Sequence, residues 1–97
     1  MTVFEKFAIR EIVERNAESS ARCLREGNFE KCKRLFDIRE SILTNIYAGA
    51  CSEWFIFSAA SDYCRRKFKA RCENSRRYKK MYLYCRDKAY KSLEDKG

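Results

Sequence analysis

The sequence predicts an all-α protein, most simply a small four-helix bundle built as two αα-hairpins. Three observations carry this expectation. Proline is absent and glycine occurs three times in 97 residues, so little interrupts a helical backbone. Apolar residues recur at helical spacing through most of the chain. Capping residues stand where those periodic stretches begin and end.

The first helix starts at about residue 3, because Thr2 and Glu5 form a T-x-x-E capping box. Ile9, Ile12, Val13, Ala17, Ala21 and Leu24 repeat at helical spacing and are its expected buried stripe. Gly27 then occupies the place of a left-handed C-terminal cap, and Asn28 suits the N-cap of the next helix. The second helix is expected to bury Phe29, Cys32, Leu35, Phe36, Ile42 and Ile46, with Arg39 interrupting the stripe. Gly49 ends it and Ser52 caps the third helix, over about 53–72. The alternative is one continuous helix from 29 to 73, which would be ~67 Å long and would demand a homodimer; the break at Gly49 is the better reading. Asn74 or Ser75 turns the chain. A fourth helix over about 76–94 then presents Tyr78, Met81, Tyr82, Cys85, Ala89 and Leu93 inward.

An internal similarity agrees with two hairpins. "ARCLREGNFEKC" at 21–32 aligns without a gap with "ARCENSRRYKKM" at 70–81, and both straddle an expected turn. The stretch "REGNFEKCKRLF" also resembles the turn of a tetratricopeptide hairpin, where a Gly-Asn/Asp-aromatic step opens the second helix. The Trp, Leu-Gly and closing proline of that repeat are absent, and no family is assigned.

Length and composition fit one domain over 1–97, with one modest core. Hydrophobic residues make up 45% and charged residues 37%, a globular rather than a disordered balance. The N-terminal "MTVFEKFAIREIVERN" is studded with acids and has no apolar core. It is not a signal peptide, so a cytoplasmic location and free thiols are expected. The stretch 41–61 has a single charge, Glu53. However, serines and Asn45 dilute it, and a mid-span glutamate is costly in lipid; a core helix is expected, not a membrane span. Trp54, Phe55, Ile56 and Phe57 are consecutive and cannot all face one core, so Trp54 and Phe55 are candidates for protein contact.

Catalysis is not expected. Histidine is absent, which removes Ser-His and Cys-His pairs, and there is no glycine-rich phosphate loop. Glu11, Glu14 and Glu18 lie in a mixed-charge helix with Arg10 and Arg15 and read as a solvated face. The six cysteines form no C-x-x-C pair, so neither a metal nor a cofactor is expected. Cys32, Cys64, Cys72 and Cys85 fall on apolar faces as small hydrophobes. Arg65 beside Cys64 and Arg86 beside Cys85 could lower those two thiol pKa values.

The charge distribution is the most informative feature. Net charge is +8, yet residues 63–91 carry twelve Lys or Arg against two acids. On the fourth helix Arg77, Lys80, Tyr84, Lys88 and Lys91 form one stripe, widened by Arg76, Lys79 and Arg86; on the third, Arg65, Arg66 and Lys69 lie opposite Cys64 and Phe68. Clustered Lys and Arg neutralise phosphates, and an aromatic among them can stack on an unpaired base. Six such contacts would give a log–log salt slope of about −5. The expected function is therefore a non-catalytic binding protein that meets nucleic acid, or an acidic protein surface, through this basic face. The alternative is an adaptor, or an inhibitor of the phage or mobile-element accessory kind, docking on a larger enzyme through the basic face and Trp54/Phe55; small accessory proteins of that kind often have this plain helical look.

Overall fold

The structure, a computed structural model, describes residues 1–71 and 73–95, with Asp95 as backbone only. It is all-α: α1 (Val3–Arg25), α2 (Phe29–Tyr47), α3 (Glu53–Lys69) and α4 (Ser75–Asp95), with no strand among the described residues. Cys72, expected on the apolar face of the third helix, lies outside the described residues.

Each boundary has a local cause. The Thr2 hydroxyl accepts the Glu5 N–H at 3.1 Å, and the Thr2 N–H donates to the Glu5 carboxylate at 3.0 Å, a complete capping box. Asn28 accepts from the Lys31 N–H and opens α2; Ser52 accepts from the Phe55 N–H and opens α3. Gly27 at φ 75 and Gly49 at φ 71 end α1 and α2 in the left-handed region that costs other residues energy. The chain therefore breaks between 47 and 53, and the single long central helix is not formed.

The helices run up, down, up, down. α1 packs antiparallel on α2, with Asn16 meeting Leu35 and Ser20 meeting Cys32, and α3 packs antiparallel on α4, with Phe57 meeting Tyr84 and Tyr63 meeting Tyr78. The two hairpins join through α1 and α3, which are parallel: Phe4 meets Phe57, Phe7 meets Tyr63, and Glu11 meets Arg66 in that order. Phe4 and Phe7 also reach Tyr84 and Tyr78 of α4. By contrast, α2 has extensive contact with α1 alone. The radius of gyration is 14.7 Å, where a closely packed chain of this length would have about 12.5 Å.

The open placement of α2 corrects several sequence expectations. The core comprises Ala8, Ile46, Ile56 and Ala59, flanked by Phe4, Ile9, Ile12 and Ile42, with Cys64, Cys85 and Ala89 buried between α3 and α4. Val13, Ala17, Ala21 and Leu24, placed in a buried stripe, are exposed. So are Phe29 at 67% and Phe36 at 50%, because no second layer covers that end of the first hairpin. Leu93 is exposed on α4. Glu11, read as part of a solvated face, is 3% exposed, because α3 lies on the face of α1 that carries Phe4, Ala8 and Glu11.

Candidate nucleic-acid interface

The expected basic face divides into three environments. In the first, along α4, Arg77, Lys80, Lys88 and Lys91 are exposed, and no carboxylate pairs with any of them among the described residues. Their 3, 4, 4, 3 spacing with Tyr84 keeps them on one flank of a regular helix. The stripe spans ~21 Å, at 1.5 Å per residue over Arg77 to Lys91. α4 is uninterrupted here because nothing in residues 75–95 breaks a helix and its inner face (Tyr78, Cys85, Ala89) packs on α3.

Tyr84 lies within this stripe, but its ring is already engaged. Phe4 stacks on it with centroids 5.3 Å apart, Phe57 meets it edge-on, and the Lys88 ammonium is 5.6 Å from its centroid. Tyr84 is thus part of the aromatic seam between α1, α3 and α4, with 47% of its surface still exposed. Arg76 is exposed but lies about 100° round the helix from Arg77. Arg86 is half-buried, with its guanidinium 5.7 Å from the Tyr82 ring and its Nε 3.7 Å from Asp87; it packs against α4's own surface.

The second environment is an ion network at the α1–α3 seam, built round the buried Glu11 with partly exposed partners. Arg66 donates from Nε and Nη2 to Glu11 Oε2 at 2.9 and 2.8 Å, and from Nη2 to Glu14 at 2.7 Å. Arg15 pairs with the other Glu11 oxygen at 2.8 Å, and Lys67 lies 3.7 Å from Glu14. Burial works against the Arg66 charge, but the hydrogen bonds to Glu11 and Glu14 outweigh it and raise its pKa. Arg66 was expected on the outward basic face; the structure spends its donors inside the protein. The pairing joins residues 55 apart in sequence, which no local spacing could reveal.

The third environment is the outer face of α3. Arg65 and Lys69 share a shallow depression with Arg15 and Asp62. Trp54 and Phe55 lie on the same face, in a groove of about 440 Å³ bounded by α1, α2 and α3. Trp54 is 39% exposed and Ile56 buried, so the run of four bulky residues does divide between core and surface.

The remaining features carry no visible chemistry. Among the described residues no three Cys, Asp or Glu side chains gather as a metal-binding cluster. No helix in them is long and apolar enough to cross a membrane. Cys23, Cys32, Cys51, Cys64 and Cys85 are free. The Cys64 thiol is hydrogen-bonded to Cys85, and that bond together with burial pushes its pKa up, opposite to the effect expected from Arg65. The chain matches no protein-family model, no curated protein and no solved structure.

Proposed function

We propose that this is a non-catalytic binding protein that associates with nucleic acid through the exposed flank of α4. One observation carries the reading. Cations at the α1–α3 seam are neutralised by Glu11 and Glu14, whereas Arg77, Lys80, Lys88 and Lys91 on α4 have no carboxylate partner among the described residues. A row of uncompensated cations on a rigid helix attracts a polyanion and gains by releasing its counterions.

The engaged ring of Tyr84 directs the contact to phosphates. Base stacking on the ring face that Phe4 covers would require breaking that packing. The binding is therefore insensitive to base sequence, and duplexes bind at least as well as single strands. With four phosphate-contacting cations instead of six, the log–log salt slope on duplex DNA is about −3.6.

Fluorescence anisotropy of labelled duplex DNA, single-stranded DNA and RNA, titrated at ~50 and ~200 mM salt, tests this. Binding that weakens about 150-fold between those two salts supports it. Absence of binding at the lower salt defeats it.

A further inference from the structure

A second surface is independent of the α4 stripe. Because α2 packs mainly on α1 and meets α3 only near Ile46, the two helices leave a groove between them whose floor is α1. The apolar lining comes from all three helices: Ile12 on the floor, Leu35, Ile38 and Ile42 on one wall, Trp54 and Phe55 on the other. Ile38 is 54% and Trp54 39% exposed, so these side chains stand open to solvent across a continuous hollow. Toward its far end the groove passes Asp62 and meets Arg65 and Lys69, with Arg15 between the two regions and Arg39 on the α2 wall. Traced along α3 from Trp54 to Lys69, the channel is ~22 Å long, about four helical turns.

Its charge is one-sided. Glu11 is buried and held by Arg15 and Arg66, Glu40 lies 3.7 Å from Arg39, and Asp62 is the one other carboxylate among the lining residues, so Arg65 and Lys69, without an ion-pair partner among the described residues, carry most of the open positive charge. Arg39 is held near the groove by its own packing, its guanidinium 4.8 Å from the Phe36 ring centroid. An apolar trough with a cationic rim is complementary to one kind of ligand: an amphipathic helix with an aliphatic face and flanking carboxylates. Its apolar side chains would fill the trough, and its Glu or Asp residues would meet the arginines, which favour bidentate carboxylate contact.

From this geometry we infer that the α1–α2–α3 groove, lined by Ile12, Leu35, Ile38, Ile42, Trp54 and Phe55 and rimmed by Arg15, Arg39, Arg65 and Lys69, docks an acidic amphipathic helix of a partner protein. The partner's aliphatic face supplies the contact area, and its carboxylates supply selectivity. A basic helix with the same apolar face is rejected by the rim.

The chain's single tryptophan lies in the groove, so occupancy can be read directly. The full-length reduced protein is titrated with two synthetic peptides of about four turns. Both carry leucines on one face; one has glutamates on the flanks, the other lysines. The glutamate peptide is expected to produce a saturable blue shift of Trp54 emission and to bind at least tenfold more tightly than the lysine peptide. Ile38→Glu, at an exposed position that leaves the core intact, abolishes the shift. Arg39→Glu with Arg65→Glu inverts the order of the two peptides, a result that mere unfolding cannot give; circular dichroism confirms that both variants remain helical. The charge reversals on α4 that end nucleic-acid binding leave the peptide titration unchanged, which keeps the two proposals separable. Three results overturn the inference. One is an unmoved Trp54 spectrum, and another is equal affinity for both peptides. The third is a blue shift that grows with protein concentration alone, together with a doubling of mass, because the groove would then hold a second copy of this chain.

Discussion

Glu11 on α1 and Arg66 on α3 join the two hairpins: the carboxylate is 3% exposed and takes Arg66 Nε and Nη2 at 2.9 and 2.8 Å. Removing one member of such a pair leaves the other desolvated and unmatched. Arg66 keeps Glu14 and some access to water, so Glu11→Gln is expected to cost about 3 kcal/mol, the low end for a buried pair. Glu14→Gln, at a half-exposed position, costs under about 1 kcal/mol. Replacing both Glu11 and Arg66 by Met is expected to restore much of the loss, as apolar replacement of buried pairs commonly does. Urea denaturation of the three variants checks the order. Equal midpoints for Glu11→Gln and Glu14→Gln would show that burial does not govern this network.

Local chemistry was legible in the sequence and long-range chemistry was not. Thr2 with Glu5, Asn28, Ser52 and the two cap glycines marked the helix ends because capping involves residues within one turn. The burial of Glu11 was invisible because it depends on which face of α1 receives α3. Helical periodicity finds an apolar stripe but assumes that something in the chain covers it. Phe29 and Phe36 obey the period and remain exposed, because α2 packs extensively on α1 alone and meets α3 only near Ile46. Similarly, the basic excess of residues 63–91 was plain. That Arg66 would be consumed internally, while Arg77, Lys80, Lys88 and Lys91 would not, depended on Glu11 and Glu14 half a chain away.

The α4 stripe makes a charge-reversal prediction. Arg77→Glu, Lys80→Glu and Lys88→Glu together are expected to abolish detectable nucleic-acid binding, since each removes a phosphate contact and adds repulsion. All three side chains are exposed, so each single change should alter stability by no more than about 0.5 kcal/mol. Reversing Arg76 alone, off the stripe, should weaken binding far less than reversing Lys80 alone. Equal losses from Arg76→Glu and Lys80→Glu would mean that total charge, not the stripe, does the binding.

Backbone geometry gives a prediction of the opposite sign. Arg71 follows α3 with φ at 52, the one described non-glycine residue in the left-handed region. That conformation costs an L-residue roughly 1–2 kcal/mol that glycine avoids, though glycine gives back part of this in unfolded-state entropy. Arg71→Gly is therefore expected to raise stability by about 0.5–1 kcal/mol. Gly49→Ala at φ 71, where an added Cβ meets nothing within 4 Å, should lower it by about 1 kcal/mol through the backbone alone. Thermal and urea midpoints moving in opposite directions for the two changes would verify the account; a stabilising Gly49→Ala would contradict it.

Cys64 and Cys85 are both fully buried and hydrogen-bonded to each other between α3 and α4. Their shared hydrogen bond sets the pair's titration. It pushes the Cys64 pKa up, with burial acting in the same direction, and lowers that of Cys85 against burial. The folded protein therefore gives up the second proton of the pair less readily than the unfolded chain does, since two thiolates cannot share a buried site. In the unfolded chain both thiols ionise near pH ~8.5. Above that value the unfolded state has lost two protons from this pair and the folded state one. The Cys64 contribution is thus intact at neutral pH and is lost as pH rises, by about 1.4 kcal/mol per pH unit. Stability measured by urea unfolding under reducing conditions should decline between pH ~9 and ~10, and the decline should be shallower when both residues are alanine. The same burial predicts that both thiols resist maleimide in the native state and react once the protein is unfolded. Parallel pH profiles for the wild-type chain and the double alanine variant would remove the pair as the cause.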